Sequence, residues 1–572
     1  MPGYNTYVGA RYVPIFDGDW DNTKKYDPLT IVMYQGDSYT SKTYVPVGAN
    51  ISNKTFWAKT GNYNAQVAQL ANEVEGIKAN RYYVTPEMFG AKGDGYSIDN
   101  VAVNNCLKFA TDNGLDVVGL GVYCIDNSTP TWGYYYGCKL EAPNVSNITL
   151  YKMHFKLKEN PPSFSSILTC MYGKYDIRFE ECIFEMAGDY PGNTGGGDGG
   201  NTAVYMVGDS AGFNAVSWYK NVGNVFFDKC KFLSIWSYCI HPQPFLGTLK
   251  VTDCYFESEC CAVLTWAQNS FIENCKYKKL YDSTGKSKMF CIDEIEVMTD
   301  DTNLNYPKSV YISHCETNAG LFIIQQNTQP KIRYSTVDIR DCTSGDADVG
   351  SGDKYFIAVV SDNTRTECTI DKITIENCDT KYDMTFDNYT AAFVCENSKF
   401  RKFFGRLTTG VFNNCYIGAI NGAFDDKLIV SGCVFKAYDF DHGCISTTGP
   451  YSGYGSTDDG IKVLTISDTV IEQPAEGAIY TLVKECRYKK CYLSNIENTN
   501  ERSLRLVNNY FIRNDEVDRY VFASPIVSQY EQTDAIFTGV KYGVIQGIGP
   551  ANAFRCFDTT GEVKIVRTWF DT

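Results

Sequence analysis

The sequence predicts an all-β chain built as an elongated solenoid, a right-handed parallel β-helix, and three observations carry that expectation. A short motif recurs along most of the 572 residues, the composition favours strands, and a Gly-rich turn followed by one amphipathic helix stands where a solenoid would begin. The motif is an alternating strand that ends in a polar pair, then Cys, then one residue and often an apolar one. It reads Phe179-Glu180-Glu181-Cys182, Phe227-Asp228-Lys229-Cys230 and Val251-Thr252-Asp253-Cys254, and it recurs at Cys275, Cys315, Cys342, Cys378, Cys415, Cys433 and Cys491. Ten of the 23 cysteines therefore share one register, which chance does not produce. Asp468 and Asn509 are expected to fill the same slot in two further rungs.

The instances lie roughly 20 to 40 residues apart, the period of a solenoid whose coils differ by lateral insertions. A small apolar thiol at one inward corner lets side chains stack along the axis without voids. A metal reading fails, because ligands stacked at the strand spacing of roughly 4.8 Å form a line and not a tetrahedron. No metal or cofactor is expected, and the thiols are expected reduced and buried. The Gly-rich run 192–200 lacks the lysine of a phosphate-binding loop.

Composition agrees with strands. There are 42 Tyr and 33 Phe against 18 Pro, with Asn, Asp, Ser and Thr crowded between short apolar runs. A formal net charge of -15 without a Lys/Arg cluster excludes a nucleic-acid partner, whose phosphates are bound by concentrated positive charge. An acidic, tyrosine-rich surface suits a polysaccharide, on whose sugar faces rings stack. No run of roughly 18 apolar residues occurs and Met1-Pro2-Gly3-Tyr4-Asn5 has no basic or apolar leader character, so neither membrane insertion nor a signal peptide is expected.

Four segments follow in order. Residues 1–62 form a small β-module rich in rings, with two strands in Pro28 to Lys42 joined at a Gly36-Asp37 turn. This segment resembles the small chitin-binding type of carbohydrate-binding module found at the amino termini of phage tail proteins, through Trp20, Tyr34, Tyr39, Pro46 and Trp57. In so small a module most rings must also make the core. Residues 63–82 place Tyr63, Val67, Leu70, Val74 and Ile77 at heptad spacing, a short helical neck suited to a trimeric coiled coil. Residues 83–514 carry the repeat and 515–572 read as a β-rich carboxy-terminal cap.

At the entry to the repeat stands Phe89-Gly90-Ala91-Lys92-Gly93-Asp94-Gly95, then an amphipathic stretch through Val103, Leu107 and Ala110, then Gly121-Val122-Tyr123. It resembles the opening of the pectate-lyase-like β-helix superfamily, in which such a turn precedes a helix that caps the solenoid. Ser97-Ile98-Asp99-Asn100 replaces the usual threonine-aspartate capping pair. Together the two resemblances imply a bacteriophage tailspike: a homotrimer, made in the host cytoplasm, carried on the virion tail and acting on a host surface glycan.

The candidate site comes from the second strand of each coil, which starts apolar and ends polar. If those ends stack in one column, it contains His241, Trp266, Glu294, Gln326, Asp362 and Glu396. Glycoside cleavage needs two carboxylates about 5 to 9.5 Å apart, spacings that rungs provide. Asp293, Glu294 and Glu296 form the densest acidic feature, and with Asp362 and Glu396 they are the acid–base candidates; His241, Trp266 and Gln326 would hold sugar. A hydrolase is preferred over a lyase because the column is acidic. The competing reading is an adhesin or structural appendage without catalysis on the same scaffold.

Overall fold

The computed structural model describes residues 14–61 and, from 83 onward, the strands and their corners. Left out are 1–13, 62–82, 187–200, 208–221, 281–287, 294–307, 327–332, 346–354, 362–368, 437–444, 447–462, 473–482, 485–502, 513–521, 547–562 and shorter stretches between. The neck expected at 63–82 lies outside the described residues. The chain divides into two compact units, Met1–Tyr82 and Tyr83–Thr572.

In the first unit β1 (Ile15–Asp19), β2 (Thr30–Tyr34), β3 (Asp37–Ser41) and β4 (Trp57–Gly61) form one sheet in that order. β1 runs parallel to β2, and the other neighbours are antiparallel. The hairpin turns at Gln35 and Gly36, with φ of 48° and 82°, and Asp37 already pairs with Tyr34. The expected Gly-Asp turn is thus one residue early, because two positive φ values in a row match the twist of the flanking strands. Tyr26, Val32, Val45, Ile51 and Trp57 make the core.

The second unit opens on the entry motif. The helix Asn100–Asn113 buries Ala102, Val103, Cys106, Leu107 and Ala110 against the first coils, covering apolar surface that an uncapped solenoid would leave wet. Asp99 stands at its N-cap position but does not cap it. Its buried carboxylate accepts the backbone N–H of Lys92 at 2.8 Å and of Gly93 at 3.2 Å, clamping the Gly-rich turn instead. Tyr123 of the Gly-x-Tyr element accepts from the Leu120 N–H at 2.9 Å and donates to Glu87 Oε1 at 2.7 Å. Gly121 is required here, since a Cβ would meet Gly93 O at 2.5 Å.

From there the chain winds as a right-handed parallel β-helix with three strands per coil, the hand that parallel crossovers adopt. The first sheet stacks Asn144–Tyr151, Lys174–Glu180, Val222–Asp228, Phe245–Thr252, Ala267–Glu273 and their successors in parallel register. The second stacks His154–Leu157, Ile183–Met186, Lys231–Ile235, Tyr255–Ser258 and Lys276–Lys279. The third stacks Tyr134–Glu141, Ser165–Met171, Thr202–Val207, Tyr238–Pro242, Cys261–Leu264, Lys288–Asp293, Gly320–Gln326 and Tyr355–Ser361. One apolar core runs inside all three, from Val84 to Ile466.

The recurrent motif is the corner between the first and second sheets. Its cysteines, from Cys182 to Cys433, are free and buried, and each thiol bonds the carbonyl two residues back and one on the preceding rung. The residue before each has positive φ: near +50° at Glu181, Lys229, Asp253, Asn274, His314, Asp341, Asn377 and Asn414, and 63° at Gly432. Left-handed backbone is least costly for Gly, Asn and Asp, which explains why those residues hold that position at six of the nine corners. The thiol slot of two other rungs holds Ser398 and Thr469, whose hydroxyls bond Glu396 O and Ser467 O at 2.7 Å. Asp468 is therefore not in that slot, as expected from sequence, but at the left-handed residue before it, φ 51°. Asn509 lies outside the described residues. Two residues on, Phe155, Phe184, Phe232 and Phe256 stack face to face down the axis at 4.9 to 5.3 Å.

The carboxy-terminal segment is β-rich but does not depart from this plan. Gln529–Thr533 pairs in parallel with Ser503–Val507 and then with Val563–Val566; Ile536–Thr538 likewise lies between Tyr510–Ile512 and Trp569–Asp571. The expected change near 515 is one of composition, because the pairing columns continue through it.

Candidate functional site

Strand register, not strand ends, decides which residues share a row. On the third sheet His241 pairs with Tyr205, and by the Ile240–Val263 pairing its next neighbour is Leu264 rather than Trp266. Asp293 pairs with Gln325 and Gln325 with Val360, while Gln326 pairs with Ser361. Glu396 is on the first sheet, between Glu376 and Asn413, and accepts from Asn413 Nδ2 at 3.0 Å. The expected single column therefore does not form, and Glu396 cannot partner a third-sheet carboxylate. Trp266, Glu294, Glu296 and Asp362 lie outside the described residues.

The row that carries His241 is covered. Tyr205, His241 and Leu264 are all buried, although they alternate with the core-facing Val204, Ile240 and Val263. The imidazole lies 5.0 Å from the Tyr205 ring and 5.2 Å from that of Tyr238, and its Nε2 has no hydrogen-bond partner. Burial pushes its pKa down to about 3, so the ring is neutral and a weak base.

An open groove lies on the second sheet instead. Its strands shrink from four residues in Tyr255–Ser258 and Lys276–Lys279 to two in Glu316–Thr317, Thr343–Ser344 and Asp379–Thr380. After two residues the chain turns inward, and Tyr382 fixes the turn by donating its hydroxyl to Gly345 O at 2.9 Å, with Asn318 O at 3.3 Å. The cavity, of about 550 Å³, is lined by Tyr255, Lys276, Glu316, Asn318, Asp379 and Lys399, among others. Sequence reasoning missed it, yet a signal existed: two residues after the corner Cys, the Phe of earlier rungs gives way to Thr317, Ser344 and Thr380. Small hydroxyls replace rings at that inward position, and Ser344 and Thr380 hydrogen-bond each other.

The groove's charges are paired. Lys276 Nζ meets Glu316 at 2.8 Å, Lys278 meets Glu257 at 3.3 Å and Lys399 meets Asp379 at 3.5 Å. Tyr255 donates to Glu257 Oε1 at 2.8 Å, and burial with that bond raises the phenol to about 12. Glu316 and Asp379 stand two rungs apart, about 9–10 Å along the backbone ladder, each beside its own lysine and more than half exposed. Such an arrangement binds polar polymers well, and it lacks the desolvated carboxyl that a general acid requires.

In the first unit the rings serve mainly as core. Trp57 and Tyr26 are buried edge to face at 5.3 Å, and Trp20, partly buried, packs edge-on to Tyr34 at 5.0 Å. Tyr34 and Tyr39 are half-buried against that core, whereas Tyr44 and, on β1, Phe16 are exposed. Trp57 thus offers no free face to a sugar.

No family model and no curated protein matches the chain. Among solved structures, it is similar to the A-module of mannuronan C-5 epimerase AlgE6 of Azotobacter vinelandii, at 10% identity and TM-score 0.30, over 85% of this chain and 99% of that one. Tailspike protein 3 of bacteriophage CBA120 aligns at 9% identity and TM-score 0.28, over 97% and 78% of the two chains. ORF18 of Geobacillus virus E2 aligns at 11% and 0.23, over 85% and 71%.

Proposed function

We propose that this chain is the receptor-binding tailspike of a bacteriophage, a homotrimer whose β-helix binds and depolymerises a host surface polysaccharide. One observation carries the reading: a small aromatic β-module is followed in the same chain by a parallel β-helix that starts with the clamped Phe-Gly-Ala-Lys-Gly-Asp-Gly turn and its capping helix. The module serves attachment to the virion, since most of its rings are spent on its own core. Depolymerisation is assigned to the carboxylates Asp293, Glu294, Glu296 and Asp362, with Trp266 and Gln326 as the sugar contacts; a hydrolase is favoured over a lyase because His241 is buried and a weak base. The test is to incubate the protein with host capsule or wall polysaccharide. New reducing ends support hydrolysis, and ultraviolet-absorbing unsaturated products support a lyase. Glu294→Gln and Asp362→Asn are each expected to lower the rate at least about 10²-fold if they transfer a proton. The adhesin reading is favoured by the ion-paired carboxylates of the open groove, and binding to host cells without any product establishes it.

A further inference from the structure

We infer that the entry coil of the β-helix is a contact surface for two further copies of this chain, packed around a common axis just past residue 82. The inference rests on the homotrimer of the reading above and gives that trimer a place to touch. Among the described residues, exposed large apolar side chains occur in two regions only. Ile15, Phe16, Tyr44 and Val47 belong to the first unit, and the other seven lie within residues 83–120. Beyond residue 120 the described residues include none, so the feature is confined to one end of the solenoid. Single apolar residues scattered on a surface need no explanation, but a concentration at one end does.

These residues stand on the elements that begin the solenoid. Tyr83 opens the first strand of the first sheet and pairs with Asp116, while Tyr96 and Ile98 alternate along the first strand of the second sheet, Asp94–Ile98. Asp94 on that strand accepts the backbone N–H groups of Tyr96 and Ser97 at 2.9 and 2.7 Å, so its charge is already met by the chain. Met88 is on the turn Pro86–Phe89. The capping helix turns Val103, Leu107 and Ala110 to the core, which leaves Val101 exposed on the opposite side.

A second copy is the partner that the chain itself brings there. Tyr63 to Ile77 repeat apolar positions at heptad spacing, and Tyr83 follows Ile77 by only six residues, at most about 20 Å of extended chain. Three chains joined at the heptad hold three entry coils close to one axis, at an effective concentration on the order of millimolar. Under that tether a small patch suffices, and a threefold arrangement lets unlike parts of it meet.

The full chain carries the test. Ile98→Glu with Val101→Glu sets like charges against one another at positions 56% and 75% exposed. Light scattering over a dilution series should give wild type three times the 64.1 kDa chain mass at micromolar concentration. The double variant should reach half-dissociation at a concentration at least tenfold higher, with unchanged circular dichroism. Lys250→Glu makes the same change in net charge at an exposed position on the shaft and should leave the midpoint unmoved. A benzophenone amino acid in place of Tyr96 should, on illumination, give a product of two chain masses, joined to residues 83–120 of the other copy. Dilute hydrogen peroxide needs no variant: Met88, 65% exposed in the single chain, should oxidise at least fivefold slower than N-acetylmethionine amide. If wild type is trimeric, the inference alone is overturned by equal midpoints for wild type and double variant, by equal weakening from Lys250→Glu, by crosslinks only within one chain, or by Met88 oxidation at the amide's rate. A wild type that scatters as one chain removes the trimer, and the contact surface with it.

Discussion

His241 is an imidazole held where no proton is welcome. Its folded pKa of about 3 lies below the unfolded value near 6.5, because burial between Tyr205 and Tyr238 penalises the charged ring. Below pH 6.5 the unfolded chain takes up a proton that the folded chain refuses, so stability is full above that pH and falls as pH drops toward 3. Between pH 7 and pH 5 the loss from this one group is about 2 kcal/mol. His241→Phe removes it, and urea denaturation at the two pH values should show the wild type losing that much more than the variant. Equal losses would mean that the ring is protonated in the fold. Tyr123 makes the opposite kind of contribution, joining Leu120 N–H to a Glu87 carboxylate whose Oε2 is buried without a partner. Tyr123→Phe strips the remaining bond from that carboxylate and is expected to cost about 1–3 kcal/mol, read from the shift in urea midpoint.

At the scale of the element, each coil is made by its corner. A left-handed residue turns the chain, and the next side chain, usually Cys, bonds backward and fills the interior. Asn377 tests this: a β-branched residue resists φ of 54°, so Asn377→Val should destabilise by about 1–2 kcal/mol in chemical denaturation. Asn377→Gly, which keeps the backbone free and gives up only the exposed bond to Asp341, should stay within about 0.5 kcal/mol of wild type. Equal costs would show that the side-chain ladder, not the backbone, constrains the corner. The corners were legible in the sequence because their cause is local: polar residue, thiol, apolar residue. The candidate column was not, because it was aligned on the polar ends of strands that run from four residues in Cys261–Leu264 to seven in Tyr355–Ser361. Counting from the corner gives the register; counting back from the strand end moved Gln326 off Ser361 and set Glu396 on the wrong sheet. The groove depends on rung length across several coils, a long-range property that only Thr317, Ser344 and Thr380 betray one at a time.

On the scale of the whole molecule, a solenoid couples each coil only to its neighbours, yet one apolar core runs from Val84 to Ile466 without a break. The first unit has its own five-residue core, formed by Tyr26, Val32, Val45, Ile51 and Trp57. Stability and assembly should therefore separate. A chain that begins at residue 83 keeps the clamped entry turn, the capping helix and every rung, so its circular dichroism and melting midpoint should match those of the full chain's main transition. If the heptad at 63–82 holds three chains together, that shortened chain should lose affinity for its copies while keeping its fold. Light scattering at micromolar concentration is expected to give three times the 64.1 kDa chain mass for the full protein. For the shortened chain it should give a mixture that moves toward one chain on dilution. A shortened chain that stays trimeric at every concentration would place the assembly contacts on the β-helix. The half-buried outward row Val394, Val411 and Ile429 of the first sheet, where single apolar side chains repeat at rung spacing, would then be the first surface to mutate. A full chain that scatters as a monomer would remove the trimer altogether and leave the β-helix to act alone.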